Sequence, residues 1–201
     1  MNHTPKFSVI IPAYNAAGHI RNGLNSIISQ SYDDYELIVV CDSCYDSTES
    51  IAKSYGAKTI PVNYGRDGLT RNAGLDAARG EWILFMDDDD WFLHEYVFQL
   101  LADNVGKNDE DVFMFSYIWH NKQYVQQTPD NITVHVWSKC WRRKSIGDTR
   151  FSFIPNWSDT TFHKKMMRKI RRAAFWNMPL YYYNYMREGS ITEQFFNKKI
   201  R

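Results

Sequence analysis

The sequence lacks three features that would place it in a specialised class of protein. No apolar run approaches the roughly 20 residues that a membrane-spanning helix needs. The 24 basic and 23 acidic side chains nearly cancel, to a net charge of +1, which argues against a protein dedicated to nucleic acid. Residues Met1–Lys6 are polar and lead directly into an apolar strand, so we expect no signal peptide.

Cysteine is also scarce, and its spacing excludes a disulfide framework. The three cysteines, Cys41, Cys44 and Cys140, cannot all pair with one another. A redox or zinc role for Cys41-x-x-Cys44 is the less favoured alternative, because no second pair of ligands accompanies it. A reducing cytoplasmic environment fits this pattern best.

What is present indicates one globular domain of the α/β class. Hydrophobic residues make up 44% and charged residues 23% of the 201 residues, as in ordinary globular proteins. In the first half, apolar runs alternate with segments of helical periodicity, which predicts βαβ crossovers and a mostly parallel central sheet flanked by helices. The predicted strands are Phe7–Ile11, Tyr35–Val40, Lys58–Val62 and Trp82–Met86, and the predicted helices lie near residues 20–30, 47–55 and 69–78.

The pattern changes after about Asn104, and the second half is predicted to be a smaller mixed β/helical region of the same domain. We expect a single domain over residues 1–201, with halves at 1–104 and 105–201. The predicted elements from the end of the first half onward are a helix at Trp91–Leu101, a strand at Val112–Trp119, extended or hairpin structure over Gln123–Val136, a helix from Asp159 to Ala174 and an aromatic strand at Pro179–Tyr185.

Polar residues follow three of the predicted parallel strands, where ligands of open α/β sheets bind. They are the segment Pro12–Asn15, then Asp42, then the four consecutive aspartates Asp87–Asp90. Two like charges 4 Å apart repel by about 4 kcal/mol at an effective dielectric constant of 20, and a divalent cation removes that penalty. In an extended segment, Asp87 and Asp89 would point to one side and Asp88 and Asp90 to the other. Asp90 is also a candidate N-cap of the helix that follows.

These residues resemble family 2 glycosyltransferases, whose domain has the GT-A fold, over nearly the whole chain. The resemblance rests on ordered matches rather than on one motif. They are Phe7-Ser-Val-Ile-Ile-Pro-Ala-Tyr-Asn15, Ser26–Tyr32, Tyr35–Val40, Arg71-Asn-Ala-Gly-Leu75, Gly80-Glu-Trp-Ile-Leu-Phe-Met-Asp-Asp-Asp-Asp-Trp91, Trp137-Ser-Lys-Cys-Trp-Arg-Arg143, Pro179-Leu-Tyr-Tyr-Tyr183 and Ser190-Ile-Thr192.

The resemblance implies a binding site for a nucleotide-sugar donor in the first half of the chain. It implies the following roles: Tyr14 stacks on the base beside Pro12, Asp42 bonds the base edge, Asp88 reaches the ribose, and Asp89, with help from Asp87, holds Mn²⁺ or Mg²⁺ on the diphosphate. Arg71 either faces the phosphates or forms a structural ion pair, and Arg187 closes over the diphosphate. The family usually has two acidic residues where this chain has Cys41-Asp42, and only the second is present.

The resemblance also implies transfer with inversion, which needs a general base to deprotonate the acceptor hydroxyl. Its position in this sequence is Asp159, within Trp157-Ser-Asp-Thr-Thr161. Ser158 stands where the family usually has a second acid. The alternative is that Ser158 or Asp159 only caps the following helix.

The expected reaction moves a sugar, with UDP-sugars favoured as donors, to a hydroxyl of a glycan or lipid-linked saccharide. The basic residues of the stretch 164–172 form either a solvated helix face or a contact with an anionic membrane surface or phosphate-bearing acceptor. The protein would then be cytoplasmic or peripheral at the inner membrane face. Because the chain ends soon after Thr192, we expect acceptor recognition to involve another subunit or a homodimer. The alternatives are a catalytically inactive homologue that binds nucleotide-sugars and, less favoured, a nucleotidyltransferase.

Overall fold

The fold was analysed in a computed structural model, which describes residues 3–119, 123–154, 158–185 and Glu193. Nine strands and six helices lie in these ranges. In chain order they are β1 (Phe7–Ala13), α1 (Ile20–Ile28), β2 (Tyr35–Asp42), α2 (Thr48–Ser54), β3 (Lys58–Val62), α3 (Asp67–Ala77), β4 (Trp82–Phe85), β5 (Trp91–Phe92), α4 (Val97–Ala102), β6 (Val112–Trp119), β7 (Gln123–Val125), β8 (Lys139–Arg142), α5 (Arg143–Ile146), α6 (Ser158–Lys169) and β9 (Ala173–Tyr183). None of the helices in the described ranges is long and apolar enough to cross a membrane.

All nine strands pair into one sheet, with the order β3-β2-β1-β4-β8-β6-β9-β5 and with β7 on β6. Strands β3, β2, β1 and β4 run parallel, which confirms the predicted βαβ crossovers of the first half. Strand β8 joins β4 and β6 antiparallel, whereas β9 runs parallel to β6. The complete sheet is therefore mixed, and the mixing lies in the second half of the chain.

The sheet is covered on both faces, which explains why its strands are continuous apolar runs rather than alternating ones. In β1, Val9 and Ile11 pack into one hydrophobic layer and Ile10 into the other. Helices α1, α2 and α4 contribute to the first layer, and α3 and α6 to the second. The helices cover the faces of the sheet, and only loops follow the carboxyl ends of β1, β2 and β4.

The segment after the four aspartates departs from the predicted helix at Trp91–Leu101. Trp91 and Phe92 form the short strand β5, which pairs with Tyr182 and Tyr181 of β9, and α4 begins only at Val97. The predicted N-cap role of Asp90 is therefore wrong. Its fully buried carboxylate instead accepts hydrogen bonds from the hydroxyl of Tyr181 and the amide of Asn184. The local periodicity of the segment after Asp90 favours a helix, but the pairing of Trp91 and Phe92 with the distant strand β9 makes it a strand.

The predicted helix Asp159–Ala174 is also too long at its carboxyl end. Helix α6 ends at Lys169, and β9 already begins at Ala173. The carboxylate of Asp111 accepts hydrogen bonds from the amides of Arg171 and Arg172, which turns the chain into the sheet beside β6. The basic stretch 164–172 is thus a helix end followed by a turn, not one continuous helix. Strand β8 and helix α5 were not predicted.

Close backbone approach at Gly80 fixes the connection that leads into β4 and the aspartates. The Gly80 amide donates to the hydroxyl of Ser8 at 2.8 Å. A Cβ atom at Gly80 would lie 2.5 Å from the Ser8 nitrogen and 2.6 Å from the Phe7 carbonyl carbon. Both are backbone atoms of the central strand β1 and cannot move aside independently.

We expect Gly80→Ala to lower the free energy of unfolding by about 2–3 kcal/mol, because the new methyl group overlaps main-chain atoms. Urea denaturation measures the change. Gly18→Ala is the matched control, since a Cβ atom there meets nothing within 4 Å and the change should stay below about 0.5 kcal/mol. Equal stabilities of the two variants would contradict the close approach.

Candidate active site

The loops that follow β1, β2 and β4 meet at the carboxyl edge of the parallel strands. The amide of Ala16 donates to the hydroxyl of Thr48 at 2.7 Å, and the amide of Tyr45 donates to the side chain of Asn15 at 3.0 Å. The amide of Tyr14 donates to Asp88 at 3.3 Å. The strand ends that the sequence singled out therefore form one hydrogen-bonded rim.

Asp42, at the end of β2, is a nearly buried carboxylate that organises the loop after β3. Burial alone would raise the pKa of Asp42, but the hydrogen bonds that it accepts hold that pKa below its usual value. Both oxygens are taken by donors of the protein itself, so a nucleotide base would have to share them. The donors are the amides of Tyr64, Gly65 and Arg66 and the hydroxyls of Ser43 and Thr70.

The four aspartates form a turn and not the expected extended segment, because the Asp90 amide donates to the carbonyl of Asp87 at 3.2 Å. The predicted alternation of their side chains between two sides is therefore wrong. Asp88 faces the loop after β1, where it lies 3.3 Å from the ring nitrogen Nε2 of His19 as well as bonding Tyr14. Each carboxylate of the run has its own surroundings.

The hydroxyl of Tyr181, on β9, is hydrogen-bonded to both ends of this turn. Its hydroxyl accepts from the amide of Asp87 at 3.1 Å and donates to Asp90 at 2.7 Å. Burial, reinforced by the charges of Asp87 and Asp89, raises the pKa of Asp90 well above its usual range. Asp90 is thus a buried structural group, unlike Asp87, Asp88 and Asp89, which are partly exposed.

Arg71 of α3 lies at the centre of the site with a side chain only 6% exposed. Its guanidinium nitrogens lie 2.7 Å from an oxygen of Asp67, 2.6 Å from one of Asp87 and 3.6 Å from one of Asp159. Burial by itself would lower the pKa of Arg71, but these carboxylates raise it. Burial, opposed by Arg71 and reinforced by Asp159 and Asp89, raises the pKa of Asp87 to about 7.

Asp159 lies in the first turn of α6 and reaches into the same site. Its Oδ2 accepts a long hydrogen bond, 3.4 Å, from the amide of Val136. Its Oδ1 is buried, lies 3.6 Å from Arg71 and accepts no hydrogen bond from the described residues. Ser158 donates its hydroxyl to Asp67 at 2.6 Å and so links α6 to α3. Both side chains are thus directed towards the site, which differs from the alternative of simple helix caps.

Three further titratable side chains lie near Asp159, and two of them, Lys139 and His135, were not predicted to belong to the site. Lys139 is fully buried, and burial lowers its pKa to about 7 although Asp159 partly offsets this. Burial also lowers the pKa values of His135 and His163 to about 4. His163 is 8% exposed and is therefore a buried histidine rather than a surface one. The one signal for Lys139 is a lone cation inside the aromatic stretch Trp137–Trp141.

The predicted metal ligands suit a hard divalent cation whose coordination shell is completed by a substrate. Asp87 and Asp89 are neighbours in the turn, and their mutual charge contributes to the raised pKa of Asp87. Within the described ranges, no three acidic, histidine or cysteine side chains are arranged to hold an ion by themselves. Mg²⁺ commonly binds through one or two carboxylates together with waters and substrate phosphates, and two aspartates fit that pattern.

The structure therefore brings several of the predicted site residues to one rim. Arg71 contacts both Asp87 and Asp159. The amide of Tyr14 donates to Asp88, the residue after Asp87, and so brings the end of β1 to the same place. Pro12 is the penultimate residue of β1, and the Tyr14 side chain beyond it is 60% exposed. Arg187 lies outside the described residues. The ligand contacts assigned to these residues stay predictions.

Comparison with known proteins identifies the family. The profile described as "Glycosyl transferase family 2" matches residues 8–178, which is most of the chain. The chain therefore belongs to glycosyl transferase family 2, and the resemblance noted in its sequence is confirmed.

Individual relatives are similar at moderate identity. EpsH of Bacillus subtilis, which is named as a glycosyltransferase, is 28% identical over 97% of this chain and 65% of its own length. TarS of Staphylococcus aureus, named poly(ribitol-phosphate) beta-N-acetylglucosaminyltransferase, is 28% identical over 92% of this chain and 36% of its own. The chain thus spans less than two thirds of the length of each.

Solved structures confirm the α/β fold as one of the GT-A type. The crystal structure of residues 1–349 of S. aureus TarS in complex with UDP-GlcNAc superimposes with a TM-score of 0.84 and 26% identity. The match covers 94% of this chain and 60% of that one. A mannosyltransferase of Pyrobaculum calidifontis, with a TM-score of 0.74 and 17% identity, shares the fold.

We expect Arg71→Met to lower the free energy of unfolding by about 3–5 kcal/mol, because it removes a buried cation and leaves three partly buried carboxylates facing one another. Urea denaturation in the presence of EDTA measures this loss without interference from metal ions. Arg79→Met is the control: its guanidinium is exposed and pairs with Glu36, so the loss should not exceed about 1 kcal/mol. A similarly small loss in both variants would show that Arg71 does not hold the site together.

Proposed function

We propose that this protein transfers a sugar from a UDP-sugar to a hydroxyl group of a glycan or lipid-linked saccharide, with inversion and with a divalent metal. The observation that carries the proposal is the placement of Asp159 beside Arg71 and Asp87, on the open rim of the parallel strands. This puts a carboxylate whose side chain is 22% exposed next to the turn that is expected to receive the diphosphate. UDP is favoured because TarS, 26% identical, has been crystallised with UDP and with UDP-GlcNAc.

The donor side of the site would bind the nucleotide at the ends of β1 and β2. The exposed ring of Tyr14 is available to stack on the base, with Pro12 beside it. Asp88 would meet the ribose from its position next to Tyr14 and His19. Asp42 would contribute to the base pocket mainly by fixing residues 64–66, since its oxygens already accept hydrogen bonds from them.

Asp89 and Asp87 would hold the metal, Mn²⁺ or Mg²⁺, against the diphosphate. When bound, such an ion neutralises the charge that develops on the departing nucleotide diphosphate. Arg71 keeps Asp87 in place through a 2.6 Å ion pair, so the ligand is oriented before any ion arrives. Arg187 is proposed to close over the diphosphate.

Asp159 would act as the general base. As the acceptor oxygen attacks the anomeric carbon, its proton passes to a carboxylate oxygen of Asp159, and the bond from the anomeric carbon to the diphosphate oxygen breaks. Attack from the face opposite the leaving group inverts the configuration. Arg71 and the amide of Val136 orient the carboxylate towards the rim.

The acceptor is proposed to carry phosphate or to lie at an anionic membrane surface on the cytoplasmic side. Four basic side chains of α6 are exposed, namely Lys164, Lys165, Arg168 and Lys169, but the ammonium groups of Lys165 and Lys169 already donate to the carbonyls of Arg150 and Ile146. The basic face available to an acceptor is therefore narrower than the sequence implies. A homodimer remains part of this proposal for acceptor recognition.

The donor site is tested by calorimetric titration of UDP, with GDP, CDP and dTDP as competitors, with and without Mn²⁺. We expect UDP to bind best and only with the metal, and Asp89→Ala to weaken binding by at least about tenfold through loss of one ligand. Asp103→Ala, at the end of α4, is the control and should bind as the unchanged protein does. A folded protein that binds none of the nucleotides would favour the inactive homologue.

The base assignment is tested by Asp159→Asn. We expect UDP release from a panel of UDP-sugars to fall by about 10²–10⁴-fold, because the amide cannot accept the proton. The affinity for UDP should stay within about twofold, since Asp159 is not a predicted donor ligand. Turnover that survives in Asp159→Asn would exclude Asp159 as the base while leaving the donor site intact.

A further inference from the structure

Lys139 is a fully buried cation for which the proposed reaction has no use. It lies on β8 between β4 and β6, and none of its surface is exposed. Its ammonium donates to the carbonyl of Thr133 at 2.7 Å and to that of His135 at 2.5 Å. A buried charge is costly unless it is hydrogen-bonded, and here two main-chain carbonyls of one short segment meet it. These two hydrogen bonds fix the main chain of residues 133–136 around the ammonium group of Lys139.

The peptide unit between His135 and Val136 connects Lys139 to Asp159. Its carbonyl oxygen accepts from Lys139, and its N–H group, on Val136, donates to Oδ2 of Asp159 at 3.4 Å. In a trans peptide the carbonyl and the N–H group point in opposite directions, so one plane faces the cation on one side and the carboxylate on the other. No cis peptide occurs in the described ranges.

We propose that Lys139 is a positioning residue for Asp159, acting through this peptide. Its ammonium fixes the orientation of the His135–Val136 peptide and polarises it, so that the Val136 N–H group at Oδ2 and Arg71 at Oδ1 together fix the orientation of the Asp159 carboxylate. The inference rests on the proposed function of Asp159. It gives Lys139, which lies outside the proposed donor and metal sites, a role in the reaction.

The surroundings of Lys139 indicate that its charge, and not only its packing, acts on Asp159. Among the described residues, no ion pair within 4 Å joins Lys139 to a carboxylate, so its charge reaches Asp159 through the peptide and through space. The other titratable groups that face it, His135 and His163, are neutral at pH 7, because burial lowers the pKa of each to about 4. Burial lowers the pKa of Lys139 itself to about 7, so its charge can be titrated.

The experiment follows the Val136 amide by NMR in ¹⁵N-labelled protein and in Lys139→Met, which keeps the length of the side chain but not its charge. We expect hydrogen exchange of this amide to accelerate about tenfold in the variant, as for the loss of a weak hydrogen bond. In the unchanged protein the Val136 amide shift should follow a titration near pH 7, and Lys139→Met should remove the contribution of Lys139 and leave only that of Asp87, whose pKa is also about 7.

The kinetic arm separates positioning from general damage. Lys139→Met should lower the turnover of UDP-sugar by about 10- to 100-fold, the usual effect of removing a group that orients a reacting residue, with UDP affinity kept within twofold. Cys140→Ala is the matched control, because Cys140 is the next residue of β8, equally buried, and packs into the opposite layer. It should change neither the Val136 amide nor the turnover.

Each outcome decides the matter. An unchanged Val136 amide in folded Lys139→Met overturns the inference, as does equal loss of turnover in Cys140→Ala. If the Val136 amide changes in Lys139→Met but turnover does not, Lys139 has no role in the reaction. Failure of the proposed function is a different result, in which Asp159→Asn retains turnover. If Lys139→Met does not fold, Lys139→Gln and the titration of the unchanged protein provide the same amide readout.

Discussion

One buried guanidinium is the interaction on which the candidate site depends. Arg71 belongs to α3, yet its nitrogens meet carboxylates from the start of the same helix, from the turn after β4 and from the start of α6. These segments come from both halves of the chain. Without a cation between them, the carboxylates would repel one another in a poorly solvated place. The ion pairs therefore join the donor side of the site to the residue proposed as its base.

A second buried cation approaches the same base from the other side. Oδ1 of Asp159 faces Arg71, and Oδ2 faces the peptide that Lys139 holds. The two cations act by different means, one by direct charge and one through a peptide dipole. Because their partners lie on α3, β8 and the 133–136 segment, the orientation of Asp159 depends on the packing of the whole second layer.

The sequence was sufficient for the parallel strands, because four apolar runs separated by helical periods leave little choice of topology. It was insufficient where distant pairing decides: Trp91 pairs with Tyr182 of β9, and that pairing prevents the helix expected after Asp90. Among the site residues, Asp42 and Asp87–Asp90 were found by type and position at the strand ends, whereas Asp159 was found only through the family resemblance. Lys139 and His19 were missed, since the part of Lys139 depends on its burial and that of His19 on Asp88, far away in sequence, and periodicity reveals neither.

The charge balance of the site fits the proposed metal best as an ion that arrives with the proposed nucleotide rather than as one that the fold requires. Arg71 offers one positive charge to Asp67, Asp87 and Asp159, so the fold tolerates their proximity without an ion, yet a negative surplus remains, to which Asp89 adds. The two aspartates of the turn offer few ligands, and a diphosphate would supply the rest while adding negative charge of its own. Metal and nucleotide should therefore bind in mutual dependence, and each would strengthen the other at a rim that is already formed.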